Sequence, residues 1–224
     1  KGISAYQIGR TLGVTYKTAW FMCHRIREAM TDRTGGAPMG GEGKFVEVDE
    51  TVIGGKEKNK RLSKRNPKNI GAVGKQICFP LVERGGRVRS FHVPAVNAKT
   101  LRPIITKHVR RESALMTDDA GQYRIIGPEF ARYETVNHGI EEYVRGDAYT
   151  NTIEGFFSIL KRGINGVYHH VSEAHLSRYL AEFDFRYSNR SALGIEDAER
   201  TDEALRMIAG KRLTYRRTAQ ACYA

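Results

Sequence analysis

Three acidic residues stand where sheet proteins place their chemistry. Asp49 closes one strand-like run, Asp118 closes another, and Glu154 lies in the first turn of an amphipathic helix. Carboxylates converging from such distant points repel one another unless a cation lies between them, and hard oxygen donors of this kind suit Mg²⁺, with Mn²⁺ as a substitute. Metal-dependent phosphoryl transfer requires such a set. Lys161 follows Glu154 by seven residues, about two turns or ~10 Å along one helix face, a reach that lets its ammonium hold a phosphate beside the carboxylates. Asn151, one turn before Glu154, reads as a further ligand or as the helix cap. Each acid taken singly reads as an ordinary surface carboxylate, so only their common placement at element ends carries weight.

The elements that must position them follow from periodicity. Lys44 to Glu50 (KFVEVDE) alternates like a strand and ends in two acids, and Ile77 to Glu83 and Arg87 to Val93 read as strands joined by a tight turn at Arg84, Gly85 and Gly86. Asn97 caps a helix with Leu101, Ile104, Ile105 and His108 on one face, and Ala114 to Thr117 is a short apolar strand running into Asp118 and Asp119. Tyr123 to Phe130 reads as a helix and turn broken at Pro128, Tyr133 to Asn137 as a fifth strand, and Asn151 to Arg162 as a helix ended by Gly163. The expected order is β-β-β-α-β-α-β-α. A long helix over Ser172 to Asn189 and a last one from a Thr201 cap to Gly210 follow.

Ahead of this, Ser4 to Met30 reads as two helices. Ser4 and Gln7 form a capping box, Gly13 breaks the first helix, and small Ala19 permits close approach of the second, Tyr16 to Ala29. This is helix-turn-helix spacing, with Tyr16, Lys17 and Thr18 as groove readers and Arg25 and Arg27 as added positive charge. Residues 31–43 are Gly-rich without periodicity and read as a linker. From Gly54 to Lys75 the loop holds Lys56, Lys58, Lys60, Arg61, Lys64, Arg65, Lys68 and Lys75 against Glu57 alone, a density that suits a mobile basic arm beside phosphates.

Composition agrees. The chain has 224 residues, with 37 Lys and Arg against 25 Asp and Glu, a net charge of +12 that favours polyanionic partners. No apolar run approaches the ~18 residues of a membrane span, which excludes an integral membrane protein. Cys23, Cys78 and Cys222 form no CxxC, so neither a zinc ribbon nor a disulfide framework is expected, and a reducing cytosol fits. The chain opens without Met or an apolar leader, which suggests an amino terminus further upstream and no secretory signal. His138, His169 and His170 sit in polar sequence, where hydrogen bonding or DNA contact is the expectation rather than chemistry.

Four stretches carry a resemblance: VEVDETVIGGKEKNKR (46–61), LMTDDAGQY (115–123), VNHGIEEYVRGDAYTNTIEGFFSILKRGINGVYHHVS (136–172) and HLSRYLAEFDFRY (175–187). Together they closely resemble the DDE transposases of a group of bacterial insertion sequences, and the amino-terminal segment looks like the helix-turn-helix that precedes that catalytic domain. The resemblance implies an α/β, RNase H-like mixed sheet flanked by helices, preceded by a small all-α helix-turn-helix segment. The expected division is 1–31 for that segment, 32–43 for the linker, 44–190 for the catalytic domain and 191–224 for a helical extension. Asp49, Asp118 and Glu154 are the implied triad and Lys161 the basic residue after it. Asp119 is the neighbour that competes with Asp118, and Asn151 the rival to Glu154 as third ligand. The family usually carries a zinc ribbon upstream, and its cysteines are absent from this sequence.

The activity implied is cleavage of an element's ends followed by attack of the freed 3′-OH on target DNA. Two Mg²⁺ ions would serve both steps, one activating the nucleophile and the other stabilising the leaving oxygen. The partners implied are double-stranded DNA, bound also through Lys161, Arg162 and the basic loop, and further copies of the chain in a homo-oligomer on paired ends. The setting would be the bacterial cytoplasm at the nucleoid. The other readings are a catalytically silent DNA-binding protein and a stand-alone metal-dependent nuclease.

Overall fold

The computed structural model describes residues 2–32, 36–55, 57–68, 73–136, 144–212 and 214. They fall into two compact units, one over residues 35–159 and the other joining 1–34 to 160–224.

The first unit is built on a mixed sheet. Among the described residues its strands are β1 (Phe45–Val48), β2 (Thr51–Ile53), β3 (Gln76–Glu83), β4 (Val88–Val93), β5 (Ala114–Asp118) and β6 (Arg132–Val136). Both β1 and β2 pair antiparallel with one edge of β3 and β4 with its other edge, while β1, β5 and β6 run parallel. Helices α3 (Ala98–His108) and α4 (Gly121–Ile126) cover one face, where Leu101, Ile105, Tyr123 and Ile126 join Val46, Val48, Phe79, Leu81 and Leu115 in a dry core. Asn97 caps α3 as expected, its side chain accepting the Thr100 N–H at 2.9 Å. The other face carries Phe45, Ala114, Met116 and Val136. A small hairpin, β7 (Val144–Arg145) and β8 (Ala148–Tyr149), leads into α5 (Asn151–Gly163).

The mixed sheet with flanking helices is the α/β arrangement expected. β2, β7 and β8 are additions: two or three residues are too few to leave an alternation in sequence. Residues 36–43 are not a free linker, because Met39 is 1% exposed within the core and forms a bridge to Val109.

The second unit is helical. α1 (Ala5–Leu12) ends at Gly13 in the left-handed conformation, and α2 (Tyr16–Ala29) starts from a Thr15 cap. Gly9 packs against Ala19, so the small-residue approach read from the sequence is present. α6 (Glu173–Ser188) lies against α2, where the Arg27 guanidinium donates to Glu182 at 2.8 Å with both side chains nearly sealed from solvent. α6 thus groups with the amino-terminal helices, and the boundary between the two units falls inside α5.

Two helix ends also differ from expectation. Gly163 keeps right-handed helical angles and the backbone continues as a π-helix over Ile164–Tyr168, because a glycine stops a helix only when it turns left-handed. The last helix, α7 (Asp197–Arg206), is capped by Glu196 through a reciprocal capping box with Glu199, and Thr201 lies inside it with its hydroxyl donating to the Asp197 carbonyl.

Candidate active site

β1 and β2 share one register on β3: Val48 faces Leu81 and Thr51 faces Cys78, so Asp49 and Glu50 fall opposite Pro80 and Phe79. The Arg84 N–H donates to the Phe45 carbonyl, so every second residue of β3 back from Arg84 turns its N–H toward this strand. Pro80 is one of them and has no N–H to give. The ladder lapses there, and Asp49 stands in the gap.

On its other side β1 runs parallel to β5, with Val48 beside Thr117, so the next pair is Asp49 beside Asp118 at the carboxyl ends of adjacent strands. Side chains alternate between faces along a strand. Phe45 and Glu47 on β1, with Ala114 and Met116 on β5, mark the face away from α3 and α4, and Asp49 and Asp118 continue those two series. Glu154, in the first turn of α5, is close enough to add to the charge felt by Asp49.

Glu47 holds this arrangement together. Its side chain has no solvent exposure; one oxygen accepts from Arg84 at 2.6 Å and the other from the Ile153 N–H at 2.8 Å. Arg84 also donates to the Asp147 and Tyr149 carbonyls and lies 3.4 Å from the centre of the Tyr149 ring. The segment entering α5 is thereby fastened to β1, two residues before Asp49. A charged residue in the middle of an alternating core strand was the sequence signal for Glu47.

The electrostatics follow from crowding. Burial, reinforced by Asp118, Glu50 and Glu154, pushes the Asp49 carboxyl up to about 8. Burial also raises Glu50, whose carboxylate accepts the Tyr123 hydroxyl at 2.5 Å, and Tyr123 is raised well above the usual phenol value by burial and then by Glu50. Glu50 and Tyr123 were not singled out from the sequence. Asp119, in contrast, is half-buried and ion-paired to Arg124 at 2.8 Å. Asn151 is exposed and is the first helical residue of α5, not its cap: the Thr150 carbonyl accepts the first helical N–H, from Glu154. Among the described residues no three His, Cys, Asp or Glu side chains are gathered into a ready metal cradle.

The basic residues are distributed more widely. Lys161 and Arg162 are exposed on α5 beyond the unit boundary. Lys56 lies outside the described residues. The described part of its loop contains 3₁₀ turns at Glu57–Asn59 and Leu62–Lys64, so it is not bare chain. Arg65 donates to the Lys60 and Lys58 carbonyls and Lys60 pairs with Glu57 at 2.7 Å, while Lys58, Arg61 and Lys64 are exposed. Lys17, Thr18 and Arg25 are exposed on α2, and the Tyr16 ring stacks on Tyr6. His138 lies outside the described residues. No helix among the described residues is long and apolar enough to cross a membrane.

Two known proteins and one protein family are similar to this chain in sequence. The chain is 29% identical over 194 residues to an uncharacterised protein in transposable element ISH50 of Halobacterium salinarum, covering 82% of this chain and 64% of that protein. It therefore spans about two thirds of that relative's length. It is also 29% identical over 104 residues to an uncharacterised transposase-like protein of Haemophilus influenzae, covering 46% of this chain and 82% of that one. No solved structure matches. Residues 39–188, from the core methionine Met39 to the end of α6, match the ISXO2-like transposase domain, and the chain belongs to that family.

Proposed function

We propose that this transposase domain cuts DNA at the ends of its element and joins the freed 3′-OH to a target phosphodiester, with Asp49, Asp118 and Glu154 as its acids. The observation that carries the reading is the pairing register that sets Asp49 beside Asp118 at neighbouring strand ends, with Glu154 within electrostatic reach.

The donor chemistry fits Mg²⁺ or Mn²⁺: hard carboxylate oxygens, one of them held against ionisation by burial among its acidic neighbours. Asp49, Asp118 and Glu154 would hold a pair of ions, with Asn151 as the rival to Glu154. When bound, such ions supply an activated water and stabilise charge on the leaving 3′ oxygen. The protein's own contribution is placement. Glu47 and Arg84 keep the start of α5 against β1, and Lys161 and Arg162 engage backbone phosphates along the same helix. Each unit also presents exposed residues of its own to duplex DNA, Lys17 and Thr18 on the helical one and Lys58, Arg61 and Lys64 on the other. Water and then a 3′-OH are the attacking groups, so no Ser or Tyr nucleophile is required. Paired element ends call for a homo-oligomer.

Nicking of supercoiled plasmid by the wild type and by Asp118→Asn, with Mn²⁺ and with EDTA, tests this. Mn²⁺-dependent nicking by the wild type alone is expected, with DNA affinity unchanged in the variant. Nicking retained by the variant rejects the triad, and equal binding without nicking by either points to a DNA-binding protein without turnover.

A further inference from the structure

The helical unit contains a cavity of about 470 Å³, within the size range of small-ligand sites. Its lining concentrates aromatic rings, Tyr6, Tyr16, Trp20, Tyr168 and Tyr179, around Arg27, in a chain that is 9% aromatic overall.

The two sides of this cavity differ. The inner side is fixed: Arg27 is 4% exposed, paired with Glu182, and stacked at 4.0 Å from the Tyr179 ring centre and 4.8 Å from that of Tyr168. Tyr168 donates to the second Glu182 oxygen at 2.7 Å. These rings are held by charge-assisted contacts and keep their orientation. The outer side is open: Tyr6 and Tyr16 stack with centroids 4.4 Å apart yet remain 65% and 48% exposed. Two large π surfaces left in water contribute little to the fold and form a platform for another flat ring.

Backbone strain marks the same rim. His169, which also lines the cavity, has φ 59° and ψ −41°, the one non-glycine residue with positive φ among those described. It forms the centre of a positive-φ γ-turn, closed by the His170 N–H on the Tyr168 carbonyl at 2.6 Å, directly after the π-helix. Such strain persists where the surroundings impose it, and π-helical turns and strained residues cluster at ligand sites. Here it sets the turn that leaves Tyr168 directed at Arg27.

We propose that this cavity receives one unpaired base of DNA, swung out of the duplex held by α1 and α2. Stacked faces recognise any base through its π surface, and Tyr16 joins the cavity to the exposed Lys17 and Thr18 at the start of α2. The inference rests on the DNA-handling reading above and deepens it, because it concerns distorted rather than regular duplex.

Trp20 is the chain's single tryptophan and lines the cavity, so its fluorescence reports occupancy. The full chain is titrated with a paired duplex, the same duplex with one bulged adenine, and the same bulge made abasic. The bulged adenine should bind about tenfold more tightly, the size of one base–aromatic stack, and should alone quench Trp20 strongly. Tyr6→Ala, at a mostly exposed position, should erase that preference, bringing the affinities for the bulged and paired duplexes to within about twofold of each other. Equal affinity and equal quenching for all three DNAs overturns the cavity assignment while leaving DNA binding intact. Failure of every duplex to bind overturns both readings.

Discussion

The Glu47 carboxylate accepts the N–H of Ile153 at 2.8 Å, across 106 positions of chain. A fully buried acid in the strand that carries Asp49 thus holds the first turn of the helix that carries Glu154, and Arg84 neutralises it from the side. The spacing of two acids distant in sequence depends on this contact.

Removing it should be costly in stability. Glu47→Ala leaves the buried Ile153 N–H without an acceptor and the Arg84 charge without its carboxylate, which places the loss at about 3–5 kcal/mol by chemical denaturation. Glu47→Gln keeps an acceptor for Ile153 but not the charge facing Arg84. It should fold with a smaller loss and nick DNA at least about tenfold more slowly. A Gln variant with wild-type rate would show that the tether has no bearing on the acids.

Asp49 should show the opposite sign. Folding forces its carboxyl into a buried position among Asp118, Glu50 and Glu154, and the rise to about 8 means that the folded state penalises the charged form. Asp49→Asn removes the penalty, so the metal-free variant should melt above wild type at pH 8, by about 2–4 °C for each kcal/mol recovered. Added Mg²⁺ or Mn²⁺ should raise the wild-type melting temperature and leave the variant unmoved. A variant that melts lower without metal would mean that Asp49 is not crowded by its neighbours.

What was legible in sequence was what local periodicity encodes. Leu101 and Ile105 at helical spacing, Gly13 between two helices, and alternation through Val46 and Val48 each reach their partners within one element. The placement of Asp49 and Asp118 at strand ends and of Glu154 in the first turn of a helix was legible in the same way. What was hidden depends on contacts distant in the chain: Glu47 meeting Ile153, Tyr123 meeting Glu50, and Arg27 meeting Glu182 to draw α6 toward α2. Met39 read as linker because one buried residue among glycines leaves no pattern.

The basic loop should separate by residue. Lys58, Arg61 and Lys64 are exposed, and replacing all three by Ala should reduce the slope of log affinity against log salt by about 2–3, near 0.9 for each phosphate no longer neutralised. Arg65→Ala should act differently, because that guanidinium is engaged by the Lys58 and Lys60 carbonyls and its removal loosens the turn. An unchanged slope in the triple variant removes the loop from the DNA interface.

His24 makes acid stability a readout of the helical unit. It is 1% exposed, neither ring nitrogen has a hydrogen-bond partner among the described residues, and burial, aided by Arg27, His175 and Arg178, pushes it down to about 3. The unfolded imidazole binds a proton below its ordinary value of 6.5, and the folded one does so only near 3. Its contribution is therefore complete above pH 6.5 and lost as pH falls toward 3, on the order of a few kcal/mol. His24→Phe, beside Trp20 and Tyr179, should flatten melting temperature against pH across that window relative to wild type. Parallel curves would show that His24 is protonated in the fold.

Pro80 offers the most direct test of how strand pairing shapes the acidic site. Proline is rare in a strand paired on both edges, yet β3 pairs with β1 and β2 on one side and β4 on the other. It is tolerated because its missing donor faces Asp49, where the ladder between β1 and β2 already lapses. Pro80→Ala restores an N–H opposite the Asp49 carbonyl and lets the two short strands join. One added backbone bond would stabilise the fold by about 0.5–1.5 kcal/mol, offset in part by the greater freedom of the unfolded chain without proline. Stability should therefore stay level or rise slightly while Mn²⁺-dependent nicking falls, since Asp49 is drawn into regular strand geometry. Loss of stability together with unchanged nicking would mean that the lapse at Asp49 does not depend on Pro80.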